Sequence, residues 1–275
     1  MSWLELPRAV VLATWGTAAL RGEIPLSRAA ESAALPDDEP GPDGVDPAEI
    51  LTVWRSTGVR TLRVVLPVPG DPRGLPGPAA FNALACDAGE CVIAEPPWAA
   101  PGHAQVADAT VALGLVPRHQ AFGSALEPGS LVTWTAHVVD VRRPADVLSL
   151  TEADRELRMG LLQATRLLET LDVARWRDDL AGTWADLTAA RLDARRLPAA
   201  VTPRALETMA TGLRLRGLVA LALTDDGGAL SGWEADQRRG VLRGLDEVAR
   251  RAVAAAANNV AVSGRAAGDS HPRSG

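Results

Sequence analysis

Twelve consecutive residues, Pro67 to Pro78, hold five prolines and three glycines. Proline has no amide hydrogen and a nearly fixed φ, so neither a helix nor a central strand can run through such a stretch. The chain must turn here. Whatever lies before and after is cut into separate elements, and that cut constrains the N-terminal half more than any other feature.

The flanks are readable. Thr61 to Val68 is apolar and β-branched, the pattern of a buried strand. Pro78 suits the first turn of a helix over Ala79 to Ala88, and Gly89 stands where a left-handed cap ends one. Cys91 to Ala94 reads as a second strand. Strand, loop, helix and strand together predict a βαβ unit with parallel strands and a right-handed crossover.

Further elements follow on both sides. Pro7 opens an apolar helix through Ala9, Val10, Ala13 and Leu20 that Gly22 ends. Ser27 reads as the cap of a short helix to about Leu35. Asp46-Pro47-Ala48-Glu49 starts another, to about Ser56, with Gly58 beyond its end. Thr110 to Val116 and Leu131 to Val141 are strand candidates, with Glu127-Pro128-Gly129-Ser130 as the turn of a hairpin. From Leu150 the period changes to helical. Thr151 reads as a cap, Leu150, Leu157, Leu161, Ala164, Leu168 and Leu171 share a face, and Asp154 with Arg158 reads as an i,i+4 pair. Helices over Asp178 to Leu192, from Thr202-Pro203 to Leu223, and from a Ser231/Glu234 capping box to about Asn258 complete the chain.

The fold class expected is α+β, with a small mixed β-sheet and flanking helices in the N-terminal half and a helical bundle in the C-terminal half. Residues 1–146 form the α/β subdomain, with a mobile acidic loop at 36–46. Residues 147–262 form the helical subdomain, and 263–275 a disordered tail.

Composition enters where function is concerned. All 28 basic residues are Arg, and Tyr is absent. Lysine-based chemistry is therefore excluded: no Schiff base, no Walker-type or kinase lysine. The net charge of -6 argues against general nucleic-acid binding. No segment is long and apolar enough to span a bilayer. The two cysteines, Cys86 and Cys91, lack zinc or Cys-x-x-Cys spacing and read as thiols of a reducing cytoplasm.

The Pro/Gly loop is also the first candidate for chemistry. It follows a strand and precedes a helix N-terminus, where open α/β sheets hold ligands. Gly70, Gly74 and Gly77 would allow close backbone approach, Arg73 would grip an anion, and Asp71 and Asn82 would supply polar contacts. Against this, five prolines remove the amides that cradle phosphates, and Asp71-Pro72 also reads as an Asx turn. Asp225 and Asp226 are a secondary candidate, as paired carboxylates in a helix–helix turn. His103, His119, His137 and His271 show no ligand spacing. No metal and no cofactor is called for. The Arg-rich last helix is interleaved with acids and reads as a solvated face. Trp3, Trp54, Trp98 and Trp134 read as core or pocket-lining anchors.

The run Leu66-Pro67-x-Pro69-Gly70-Asp71-Pro72-x-Gly74-Leu75-Pro76-Gly77-Pro78-x-x-Phe81-Asn82, with Leu171-Asp172-Val173-Ala174-Arg175-Trp176 and Asp225-Asp226-Gly227-Gly228-Ala229, resembles an actinobacterial protein family of unknown function. The resemblance covers most of the chain and implies no activity or ligand. The residues themselves favour a non-catalytic cytoplasmic protein that binds a protein partner or a small anionic ligand, with a homodimer left open. Two alternatives stand beside it: an enzyme acting on an anionic small molecule through the 70–82 loop, and a nucleic-acid-associated regulator.

Overall fold

The computed structural model describes residues 4–33, 38–40, 44–96, 113–123, 128–140, 147–170, 178–223 and 232–266. The chain divides into two compact units. One comprises residues 7–147, 195–201 and 257–275, the other 1–6, 148–194 and 202–256. The fold is α+β, with the described strands in the N-terminal half and, among the described residues, helices in the C-terminal half.

The sheet-containing unit begins with α1 (Arg8–Leu20), α2 (Leu26–Ala33), β1 (Asp38–Pro40), α3 (Pro47–Ser56) and β2 (Thr61–Val65). It continues with α4 (Ala79–Ala88), β3 (Cys91–Glu95), β4 (Gly114–Gly123) and β5 (Pro128–His137). The strand order is β1-β5-β4-β3-β2. All pairings are antiparallel except β1 with β5. The sheet is thus mixed through its three-residue edge strand alone. Asp38–Pro40 falls inside the stretch expected to be a loop; it pairs with Ser130 to Val132 instead.

The parallel βαβ expectation is corrected. β2 and β3 are antiparallel, with Val65 opposite Cys91 and Thr61 opposite Glu95. The reason lies in the Pro/Gly loop. The connection leaves and re-enters the sheet at the same end, so the loop carries the chain out and α4 carries it back. No crossover is made, and the carboxyl-edge argument for a ligand site goes with it.

α1 explains itself by its composition. Every residue but Trp15 is buried, as expected for a helix that is apolar all round. It packs on β2 and β3 and against α2 and α3. The approach is close at Gly16, where a Cβ would lie 2.6 Å from Leu62 Cδ1. Trp15 Nε1 donates to Arg196 O at 2.9 Å. On the opposite face, Phe81 of α4 lies over Gly114, where a Cβ would come within 2.7 Å of the ring.

Local signals hold well. Asp46 accepts the Ala48 amide at 2.8 Å and caps α3. Gly89 adopts φ +74 after α4. Ser27, by contrast, lies inside α2, which starts at Leu26. Gly129 and Ser130 are strand residues of β5 rather than turn residues.

The helical unit holds α5 (Leu150–Thr170), α6 (Asp178–Ala189), α7 (Pro203–Leu223) and the part of α8 (Gly232–Ala266) up to residue 256. A 3₁₀ turn, Ala194–Arg196, went unread in the sequence, and α8 runs past its expected end at about Asn258, to Ala266. Its core joins Ala153 and Leu157 of α5, Leu215, Val219 and Ala222 of α7, and Leu242, Leu245, Ala249, Ala252 and Ala255 of α8. Small residues let the backbones approach: a Cβ on Gly212 would lie 2.7 Å from Val253 Cγ2. The cap of α5 is Ser149, not Thr151. Its amide and hydroxyl meet Glu152 Oε2 at 2.9 and 2.7 Å, and its hydroxyl accepts the Glu152 amide at 3.2 Å. That is a reciprocal capping box.

Candidate functional site

The Pro/Gly loop folds as two tight turns and a tether. Val68 and Asp71 exchange backbone hydrogen bonds of 3.4 and 2.9 Å around Pro69-Gly70. Pro72 O then accepts from the Leu75 amide at 3.1 Å. Gly70 and Gly74 take φ of +90 and +84, at the corner where a type II turn asks for glycine. Gly77 N–H donates to Asn82 Oδ1 at 3.0 Å, and Gly77 O accepts from Asp140 N at 3.3 Å.

The six residues singled out in the sequence do come together in this one segment, and their polar groups meet one another. Arg73 Nε donates to Asp71 Oδ1 at 2.7 Å. Asn82 holds the Gly77 amide, and Gly74 O accepts from Arg63 Nη1 at 2.8 Å. The amides of Asp71, Leu75 and Gly77, which an anion would need, are therefore already engaged.

Beneath the loop lies a charged group the sequence did not flag. Arg63 of β2 is buried, and its Nε stands 3.3 Å from Glu95 Oε1. Burial lowers its pKa, with Glu95 opposing. Its position follows from alternation: Thr61, Arg63 and Val65 share one sheet face. Cys91 lies on that face too. Burial pushes its thiol up to about 12, against the pull of the Arg63 charge. At neutral pH it is a protonated, inert thiol, neither nucleophile nor metal ligand.

The other face carries a carboxylate–histidine pair. Glu90 is buried; its Oε2 accepts the Ala9 amide at 2.7 Å, in the first turn of α1. A carboxylate there meets the positive end of the helix. Glu90 Oε1 lies 3.1 Å from Nε2 of His119, whose side chain is 43% exposed. Only the histidine was noted in the sequence, because nothing local marks Glu90 as its partner. His137 sits 2.9 Å from Thr135 Oγ1 and 5.8 Å from the Phe81 ring. Burial lowers its pKa, so it is neutral near pH 7. Among the described residues, no three His, Cys, Asp or Glu side chains gather to hold a metal. His103, His271, Asp225, Asp226, Trp3 and Trp98 lie outside the described residues. Trp54 and Trp134 are buried core.

Residues 9–147 match the Rv1486c-like protein N-terminal domain, and residues 151–254 match its C-terminal domain. The chain belongs to the Rv1486c-like family. No curated protein and no solved structure shows significant similarity to it.

In the Rv1486c-like C-terminal domain, α5 departs from its expected pairing. Asp154 does not serve Arg158. It is taken by α7, through Thr208 Oγ1 and through Arg204, whose Nε and Nη2 both lie 2.8 Å from Oδ2. Arg158 is left with no ion pair among the described residues. Beside it Met159 and Leu162 stand 52% and 54% exposed, and Arg155 is exposed as well. Residues 155, 158, 159 and 162 lie on one helical face, so an outward surface of α5 is apolar and carries two arginines, with the exposed Glu152 one turn before Arg155. Leu161, expected on the core face, is 36% exposed. Among the described residues of either Rv1486c-like domain, no helix is long and apolar enough to cross a membrane.

Proposed function

We propose that this chain is a non-catalytic cytoplasmic binding protein that docks an acidic, amphipathic segment of another protein on α5. One observation carries the reading: Met159 and Leu162 are more than half exposed on the face of α5 that also presents Arg155 and Arg158. Burying a large apolar side chain is worth about 1.5–3 kcal/mol. Arginine stems extend the apolar surface while their heads seek carboxylates. A helix with leucines on one face and glutamates at its borders complements both features.

The test is fluorescence anisotropy with a labelled 20-residue helical peptide, leucines at i, i+3, i+4 and i+7 and glutamates flanking them. Saturable binding is expected, weakened by salt and at least tenfold weaker to Leu162→Glu. Equal binding to that variant, or equal binding of a peptide with lysines for glutamates, overturns the reading. A dimer that Leu162→Glu splits would make a second copy the occupant instead. The alternative of an enzyme acting on an anionic substrate through Asp71, Arg73 and Asn82 asks those groups to leave partners they already hold.

A further inference from the structure

We infer that the cleft between the C-terminal end of α6 and one face of α7 binds a small organic anion with a short aliphatic body. This site is separate from the α5 surface and stands independently of it.

The cleft has a volume of about 530 Å³, within the roughly 300–1,000 Å³ of small-molecule sites. Leu192, Leu206 and Ala210 give it apolar wall; Arg191, Arg214 and Glu207 give it charge. The walls are fixed by the helical unit itself. Gly217 lets α6 approach α7 so closely that a Cβ there would lie 2.9 Å from Leu187 Cδ2. The Arg191 carbonyl accepts the Leu4 amide at 2.9 Å.

The state of the two arginines points to a ligand. Elsewhere in this unit, Arg204, Arg216, Arg250 and Arg251 each lie 2.7–3.5 Å from a carboxylate, whereas Arg158 stands on the open surface of α5. Arg191 and Arg214 have no such partner among the described residues. Arg214 Nε donates to Ala210 O at 3.2 Å. That bond holds its stem along α7 and commits none of its terminal nitrogens. Glu207 precedes Arg214 by seven residues, about 10.5 Å along the helix axis. It therefore leaves the cleft with one net positive charge. Two guanidinium forks, a net positive charge and an apolar wall together fit a carboxylate or phosphate head on a chain of several carbons.

The experiment is calorimetric titration of the full chain with hexanoate and hexyl phosphate at low ionic strength, beside inorganic phosphate and hexylammonium. Saturable one-to-one binding of a hexyl anion is expected, with no binding of hexylammonium. Arg191→Gln and Arg214→Gln, both folded by circular dichroism, should each weaken it at least tenfold. Ala210→Trp, which fills the cleft without changing charge, should abolish it, and Leu162→Glu on α5 should leave it unchanged. No saturable binding of either hexyl anion overturns the inference, as does binding that survives both arginine changes. Inorganic phosphate binding as tightly as hexyl phosphate would overturn the apolar half of the site.

Discussion

At the scale of single residues, the side chains that matter most are those whose partners lie far away in sequence. Asn258 is the clearest case. Its Oδ1 accepts the Val64 amide at 2.7 Å and its Nδ2 donates to Val64 O at 3.0 Å. Thr17 Oγ1 accepts the neighbouring Leu62 amide at 3.0 Å. Two side chains thus stand in for a further strand at the open edge of β2, where unpaired peptide groups would invite association. Asp46 and Gly89 were legible because capping is local. Asn258 and Glu90 were not, since their meaning depends on packing that no sequence window contains.

Cys91 gives a prediction at this scale. Its pKa stands near 12 in the folded chain against an ordinary 9.0. Above about pH 9 the unfolded chain releases this proton and the folded chain keeps it. Stability from this group is therefore full below pH 9 and falls as pH rises toward 12, by at most about 1.4 kcal/mol per pH unit. The chain has no Lys and no Tyr to titrate in the same window. Urea unfolding at pH 8 and pH 10.5 should show a steeper loss in wild type than in Cys91→Ala. Equal losses would refute the burial argument.

At the scale of elements, boundaries were more legible than pairings. The limits of α3, α4 and α7 follow from caps and prolines that the sequence displays. The sense of the β2–β3 pairing did not follow, because a strand–helix–strand order fits either sense. What decides it is the path of the intervening loop, and that path depends on two glycine corners rather than on periodicity. The start of α5 was read two residues late, since Thr151 and Ser149 both suit a cap and only the bond to Glu152 separates them.

That box supplies a second prediction. Ser149→Ala should cost about 1 kcal/mol, read from urea midpoints at pH 7. The hydrogen bonds from Ser149 hold the Glu152 carboxyl below its ordinary pKa of 4.5. The contribution is present above that value and is lost as pH falls through the lowered one. The gap between Ser149→Ala and wild type should therefore narrow in acid to what the Glu152 amide bond alone supplies; an undiminished gap at pH 2 would count against the box.

For the whole molecule, the division by sequence family and the division by packing differ. The family domains run 9–147 and 151–254. The sheet-containing unit also takes in residues 195–201 and 257–275, and with them Arg196 O for Trp15 and Asn258 for Val64. A fragment ending at residue 147 keeps the five strands but loses both. Its β2 edge keeps Thr17 at Leu62 but leaves the Val64 amide and carbonyl unpaired, and light scattering should show concentration-dependent oligomers that the full chain does not form. A monomeric, fully folded fragment would show that the Asn258 clamp is dispensable. Nothing in the sequence hints at this discontinuity, because a helix shows its period and not its destination.

The Asn258 clamp also sets a clock. Val64 and Asn258 are 194 residues apart. A ribosome adding about 5–20 residues per second places the second roughly 10–40 s after the first. Through that interval the nascent sheet waits for its last hydrogen bonds. Dependence on a chaperone is then governed by elongation speed, and slow translation is the greater hazard to a sheet whose closing residue arrives so late.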